Sequence, residues 1–239
     1  MILKCIDIGN TNVVVGTYIQ NKLKNIERFE SEISALEQEL KISNSCQIAI
    51  SSVVPKINKY LTERFSENLI FEVSHQNCGL CLDVDKPSEV GNDRICNIKS
   101  ILELKLFPAI IIDFGSATTY DVIDAKGAFI GGSIAPGVDV SAQYLIKKAA
   151  QLKSITYQFP KKVIGKNTKT NLQSGIMYGG IDAINGMIKR IHYEISFKIK
   201  NIILTGGFAK ILSSRISYEH IVAPELTING IKLILEENN

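Results

Sequence analysis

Ile6-Asp7-Ile8-Gly9-Asn10-Thr11, a few residues into the chain, and Ile112-Asp113-Phe114-Gly115-Ser116-Ala117-Thr118, near its middle, are two versions of one pattern. In each, an apolar run closes on Asp-x-Gly and a turn of small polar residues, and a second strand-like stretch follows, 12–19 after the first copy and about 118–124 after the second. Apolar runs bounded by turn residues read as buried strands, so each copy is a strand–turn–strand unit. The copies begin 106 residues apart in a chain of 239. A repeat at that spacing divides the chain into two related domains. The boundary falls near Pro108, giving domains 1–108 and 109–239. At about 150 residues per domain, the length suits one large domain or two small ones.

Working outward, strands are expected at 2–8, 47–54, near Leu69–Val73, from Ala109 to Asp113, near 128–134 and at Asn201–Leu204. Helices are expected at 31–41 with Ser31 as N-cap, at 56–66, at 92–106, from Ser141 to about Leu152, at 174–198, after Thr205-Gly206-Gly207, and over the tail from Leu226. In the long helix, Ile176, Gly180, Ile184, Met187, Ile191 and Ile195 form the apolar stripe. Strands interleaved with helices throughout make this an α/β protein.

The two repeated turns carry the chemistry. Glycine lets backbone approach a ligand closely, and successive N–H groups with Asn and Thr side chains donate to phosphate oxygens. An Asp at a strand end suits Mg²⁺, which takes oxygen ligands and keeps several waters. Asp, Asn and Gly are also common in ordinary hairpins, but a hairpin needs no second carboxylate at the equivalent place half a chain later. A nucleotide clamp built from two related domains does. Gly91-Asn92-Asp93-Arg94 opens a helix, where anions bind. A carboxylate beside an arginine there can accept a hydroxyl proton while the guanidinium neutralises developing charge. The glycine turns Gly131-Gly132 to Pro136-Gly137 and Thr205-Gly206-Gly207 also follow strands, where α/β proteins place ligands.

Apolar residues are 45% and charged residues 21%, which excludes a disordered chain. A net charge of +3 is too small to argue for nucleic acid. Charge is uneven, however: no acid lies between Asp139 and Asp182, where Lys147, Lys148, Lys153, Lys161, Lys162, Lys166 and Lys169 fall. That stretch is either a solvated face or a surface that attracts an anionic substrate. No apolar run approaches the ~20 residues of a membrane span, and the start, Met1 to Asp7, lacks the features of a signal peptide. The expected location is the cytoplasm. Cys5, Cys46, Cys78, Cys81 and Cys96 form no regular framework and read as buried thiols. Cys78-Gly-Leu-Cys81 lacks the second pair that a zinc site needs.

Taken together, the motifs resemble the type III pantothenate kinases. The resemblance rests on Asp7-Ile-Gly-Asn-Thr-Asn12, Ser51-Ser-Val-Val-Pro55, Gly91-Asn-Asp-Arg94, Asp113-Phe-Gly-Ser-Ala-Thr118, Gly131-Gly-Ser-Ile-Ala-Pro-Gly137, Gly165-Lys-Asn-Thr168 with Gln173-Ser-Gly175, and Thr205-Gly-Gly207, in order over nearly the whole chain. It implies two actin-like (ribonuclease H-like) domains of the acetate and sugar kinase superfamily. It also implies ATP-dependent phosphorylation of pantothenate to 4′-phosphopantothenate, the first committed step towards coenzyme A. Mg²⁺ and a monovalent cation, K⁺ or NH₄⁺, are implied as cofactors, and a homodimer with the active site at its interface as the assembly.

Residue by residue, the resemblance implies an ATP phosphate site at Asp7, Ile8, Gly9, Asn10, Thr11, Asn12, Val13 and Val14, with Asp7 towards Mg²⁺. It implies a pantothenate site at Gly91, Asn92, Asp93 and Arg94, with Asp93 as proton acceptor and Arg94 on the substrate carboxylate or the transferring phosphoryl group. Asp113 matches the monovalent-cation ligand. Ser116 stands where the family usually has an ATP-contacting Thr, and its hydroxyl keeps that contact. Thr168 matches a substrate-contacting Thr donated across the dimer. Val84 departs from the pattern: family members often carry a substrate-side Tyr there, and Val has no phenolic hydroxyl. Two other functions were weighed: a kinase for a different small hydroxy acid, which Val84 motivates, and a catalytically inactive accessory protein.

Overall fold

The computed structural model describes residues 2–149, 152 and 154–239. Lys153 and part of the segment expected to end the helix near Leu152 lie outside them. The chain forms two compact units, Met1–Lys105 with Glu225–Asn239, and Leu106–Pro224.

In the first unit, β1 (Ile2–Ile8) pairs antiparallel with β2 (Asn12–Ile19), which pairs antiparallel with β3 (Lys22–Glu30). On its other side β1 runs parallel to β4 (Cys46–Ser52), and β4 to β5 (Leu69–Glu72). The order is β3-β2-β1-β4-β5. Strand side chains alternate between faces. Ile6, Ile8, Val13, Val15, Ile48 and Ile50 pack with Leu36 of α1 (Ile33–Glu39) and with Ile57 and Leu61 of α2 (Pro55–Arg64). The opposite face meets α3 (Asn92–Glu103) and α7 (Leu226–Glu237). Gly16 of β2 makes room there, since a Cβ would run into Ile228 of α7.

The second unit repeats this plan. β6 (Ala109–Phe114) pairs antiparallel with β7 (Ala117–Ile123), which leads to β8 (Phe129–Pro136). β6 runs parallel to β9 (Asn201–Thr205), and β9 to the short β10 (Ile221–Val222). The order β10-β9-β6-β7-β8 is that of the first sheet read from the other edge. Ile110, Ile112 and Phe114 pack against α5 (Thr168–Glu194). α4 (Val138–Lys148) and α6 (Ala209–Ser213) complete the unit.

The structure revises several expectations. The sequence reading put residues 225–239 with the second domain, but α7 packs on α3 and β1 of the first unit. A Cβ on Gly230 of α7 would overlap the backbone of Cys96 in α3, so the two helices touch main chain to main chain. A repeat marks the related strand pairs; it carries no information on where a terminal helix docks. α5 begins six residues earlier than expected, because Asn167 caps it: the Asn167 side chain accepts from Thr170 N–H, and Thr170 Oγ1 reaches back to the Asn167 backbone. Its buried stripe is Met177, Ile181, Ile184, Ile188 and Ile191, which keeps Ile184 and Ile191 of the expected one and replaces its other members. Each such side chain contributes about 1.5–3 kcal/mol by its burial. α4 starts at Val138, with Gly137 and not Ser141 as its N-cap. β3, rich in charge and mostly exposed, and the two-residue β10 were not anticipated. Cys5, Cys46, Cys78 and Cys96 are buried thiols, while Cys81 is exposed.

Candidate active site

The first turn is built at the carboxyl end of β1. Gly9 N–H donates to Asn12 O at 3.0 Å, closing the turn, and leaves Asn10 and Thr11 exposed. Ser31, expected as the cap of α1, braces this turn instead: its hydroxyl donates to Gly9 O at 2.6 Å and its N–H to Thr11 O at 3.0 Å. The α1 N-cap is Glu32, with no side-chain bond. Ile8 and Val13 are buried in the sheet, and Asn12 and Val14 are part-buried. This turn thus presents backbone and short polar side chains at a strand end.

Asp7 lies directly across the parallel β1–β4 ladder from Ser51. Ser51 is fully buried and donates its hydroxyl to Asp7 Oδ1 at 3.1 Å. Beside them stands the N-terminus of α3, which begins after Gly91. Asn92 Nδ2 donates to Ser52 O at 3.2 Å, tying α3 to the end of β4. Asp93 sits in the first turn and its Oδ1 accepts from Arg94 N–H at 2.8 Å. Loss of water around the Asp93 carboxyl pushes its pKa above the usual carboxylate range, while hydrogen bonding from Arg94 and the Arg94 charge pull it down. One helical turn further on, Cys96 is fully buried; burial and the negative charge of Asp7 hold its thiol protonated, against a hydrogen bond with Ser51. Two carboxylates that the sequence keeps 86 residues apart, Asp7 and Asp93, thus both act on Cys96. Val84 is part-buried in a bend ahead of the 3-10 turn Pro87–Glu89, which leads into Gly91.

The second turn mirrors the first. Gly115 N–H donates to Ala117 O at 3.0 Å, and Gly137 N–H to Ser116 O at 3.0 Å. A Cβ on Gly137 would collide with the Gly115 and Ser116 carbonyls. Gly206, at φ +85°, covers Asp113: a Cβ there would overlap Asp113 Oδ1 and the Phe114 backbone. Asp113 pairs across the parallel ladder with Thr205, as Asp7 does with Ser51.

Thr168 is the first residue of α5 and is exposed. It lines a mainly apolar cavity of about 680 Å³ with Tyr120, Val138, Leu145, Leu172 and Ile176. Ile176 and Gly180, expected on the core stripe, face this cavity. The lysines of the acid-free stretch that the structure describes are all exposed.

The family model described as type III pantothenate kinase matches residues 3–190. The chain belongs to the type III pantothenate kinase family. A curated type III pantothenate kinase of Thermomicrobium roseum is 37% identical, over 98% of this chain and 96% of that protein. Among solved structures, a Baf family protein of Campylobacter jejuni is 20% identical with a TM-score of 0.68, each chain covered to 98%. An archaeal actin homologue is 10% identical with a TM-score of 0.59 over the full length of both chains. The two units therefore share the actin-like fold, and membership of the type III pantothenate kinase family makes the chain an ATP-using phosphotransferase. Such kinases work with a divalent metal. Among the described residues no group of three or more His, Cys, Asp or Glu is placed to hold a metal ion, and none is required: Mg²⁺ takes one or two carboxylates, with phosphate and water supplying the rest. Asp7, with one oxygen held by Ser51, fits that role. Among the described residues no helix is long and apolar enough to cross a membrane.

Sequence reasoning singled out the two Asp turns and the start of α3, and missed the residues that hold them. Ser51 stood within a motif without a role; its signal was a hydroxyl at the end of the buried apolar run Ile48-Ala49-Ile50. Ser31 was assigned to the wrong element. Gly137 and Gly206 stood in turns expected near a ligand, with no part in bracing Asp113 or its turn.

Proposed function

We propose that the chain transfers the γ-phosphoryl group of ATP to the terminal hydroxyl of pantothenate with Asp93 as the base. The hydroxyl oxygen bonds to phosphorus, the bond from phosphorus to the bridging oxygen of ADP breaks, and Asp93 takes up the hydroxyl proton. The observation that carries this reading is the placement of Asp7, held by Ser51, and of the Asp93 turn of α3, tied by Asn92 to Ser52, at the same end of the β1–β4 pair. In phosphoryl transfer most of the catalysis is positioning and charge neutralisation, and these residues supply both.

The turn from Asp7 to Val14 would hold the ATP phosphates through its backbone N–H groups and the Asn10, Thr11 and Asn12 side chains, with Ser116 adding a hydroxyl. Asp7 would hold Mg²⁺, which neutralises phosphate charge when bound. Asp113 would hold K⁺ or NH₄⁺. Gly91, Asn92 and Arg94 would bind pantothenate, Arg94 pairing with its carboxylate or the moving phosphoryl group. The working form would be a homodimer with the active site at its interface, Thr168 of one protomer reaching the pantothenate of the other. The exposed apolar residues of α4, Val140, Tyr144 and Leu145, support such an interface. Free thiols suit the reducing cytoplasm.

A coupled assay of ADP release with pantothenate, with and without K⁺, tests the reading. Asp93→Asn should fold and bind ATP yet lose about a hundredfold or more in turnover, the usual worth of a general base. A purified variant at near wild-type rate would remove Asp93 from the role.

A further inference from the structure

Ser51 is a polar residue in β4, where only the last residue, Ser52, is not fully buried. Its side chain has no access to solvent. Burying a hydroxyl without a partner costs free energy, and Ser51 has one in Asp7. Its hydroxyl proton goes to Asp7 Oδ1 at 3.1 Å. The backbone enforces this contact, because residues 7 and 51 are register partners in adjacent parallel strands. The second sheet keeps a buried hydroxyl at the matching place, Thr205 across from Asp113.

We propose that Ser51 is a positioning residue for the phosphate-site carboxylate: held in β4 directly across from Asp7, it fixes Oδ1 of Asp7 so that the carboxylate meets the metal–nucleotide complex in one orientation. The inference rests on the reading of Asp7 given under the proposed function. Ser51 itself touches neither nucleotide nor metal. Removing a group that hydrogen-bonds a metal-binding carboxylate from behind costs about 10–100-fold in metal affinity.

The test compares Ser51→Ala, Ser51→Thr and, as a control, Asp7→Asn in the full-length protein. Two quantities are read: the Mg²⁺ concentration for half-maximal rate, and ATP affinity by calorimetry with Mg²⁺ and with EDTA. Ser51→Ala should raise the Mg²⁺ requirement about tenfold and weaken ATP binding in Mg²⁺ to a similar extent. ATP binding in EDTA and the KM for pantothenate should stay at the wild-type value. Ser51→Thr, which keeps the hydroxyl, should recover most of the loss. If Ser51→Ala does not fold, Ser51→Cys, which keeps the volume and offers only a weak S–H donor, is read the same way. An unchanged Mg²⁺ requirement in Ser51→Ala, with Asp7→Asn shifted, would overturn the proposal. So would an equal loss of ATP affinity with and without Mg²⁺, which marks general damage. If Asp7→Asn is itself unshifted, the reading of Asp7 fails, and the role of Ser51 falls with it.

Discussion

The carboxylate of Asp93 occupies the space beside Gly91: a Cβ on Gly91 would lie 2.5 Å from Asp93 Oδ1. Gly91 has φ −58° and ψ 141°, which any residue adopts, so the requirement is for space and not for backbone freedom. Gly91→Ala should therefore fold normally and displace the carboxylate. A misplacement of about 1 Å costs up to about a hundredfold in rate. We expect kcat to fall by tenfold or more on that basis, with the melting temperature and the KM for ATP nearly unchanged. A wild-type kcat would separate Asp93 from the chemistry.

The pH dependence follows from the same group. Desolvation raises the Asp93 pKa, and Arg94 opposes the rise. A base works when ionised, so kcat/KM should fall on the acid side with a midpoint above that of an ordinary aspartate. Arg94→Met removes a charge that favours the ionised form, so its acid limb should move to higher pH. Stability runs the other way. A carboxyl whose folded pKa is raised contributes fully below its unfolded value, about 3.9, and loses that contribution as pH rises through the folded value. Asp93→Asn should thus melt at or above the wild-type temperature at pH 7. A pH series of melting curves for both proteins checks the sign.

Much of this was legible because the repeat and the chemistry coincide. Apolar runs ending in Asp-x-Gly mark β1 and β6, and those two strands organise sheets of identical order. Burial on both faces makes such strands plain in sequence. β3 was not legible, since its pattern Lys22-Leu-Lys-Asn-Ile-Glu-Arg-Phe-Glu30 is dominated by charge and it exists by pairing with β2. Ser31 shows a different limit: a serine ahead of a helical stretch reads as a cap, yet a turn twenty residues earlier takes its hydroxyl. Asp7 and Asp93 were each visible alone. Their meeting depends on β4 lying parallel to β1 and on α3 packing behind it, which no local pattern encodes.

Gly206 offers a test of the second turn. Its φ of +85° is costly for any other residue, and a Cβ would drive into Asp113 Oδ1 and the Phe114 backbone. Gly206→Ala should destabilise the protein by about 1–3 kcal/mol, the usual cost of overpacking. It should also raise the K⁺ concentration for half-maximal activity, because the carboxylate proposed to hold the cation must move. Urea unfolding reads the first effect and a K⁺ titration the second. A normal K⁺ response in a destabilised variant would detach Asp113 from the cation.

The interface is tested by complementation. Tyr144 and Leu145 on α4 are 62% and 45% exposed, and Ile134 on β8 is 67% exposed. Apolar groups this open call for a partner, and a second copy meeting the same face would form an isologous dimer. Tyr144→Glu combined with Leu145→Lys should then run as a monomer by light scattering, bind ATP normally and fail to saturate with pantothenate. Asp93→Asn and Thr168→Val should each be impaired alone, for different reasons. If Thr168 serves the partner's substrate, mixing and refolding the two variants creates heterodimers in which one site keeps both Asp93 and Thr168. Activity should therefore return on mixing. Its failure to return, with heterodimers confirmed by mass, would place both residues in the same protomer's site.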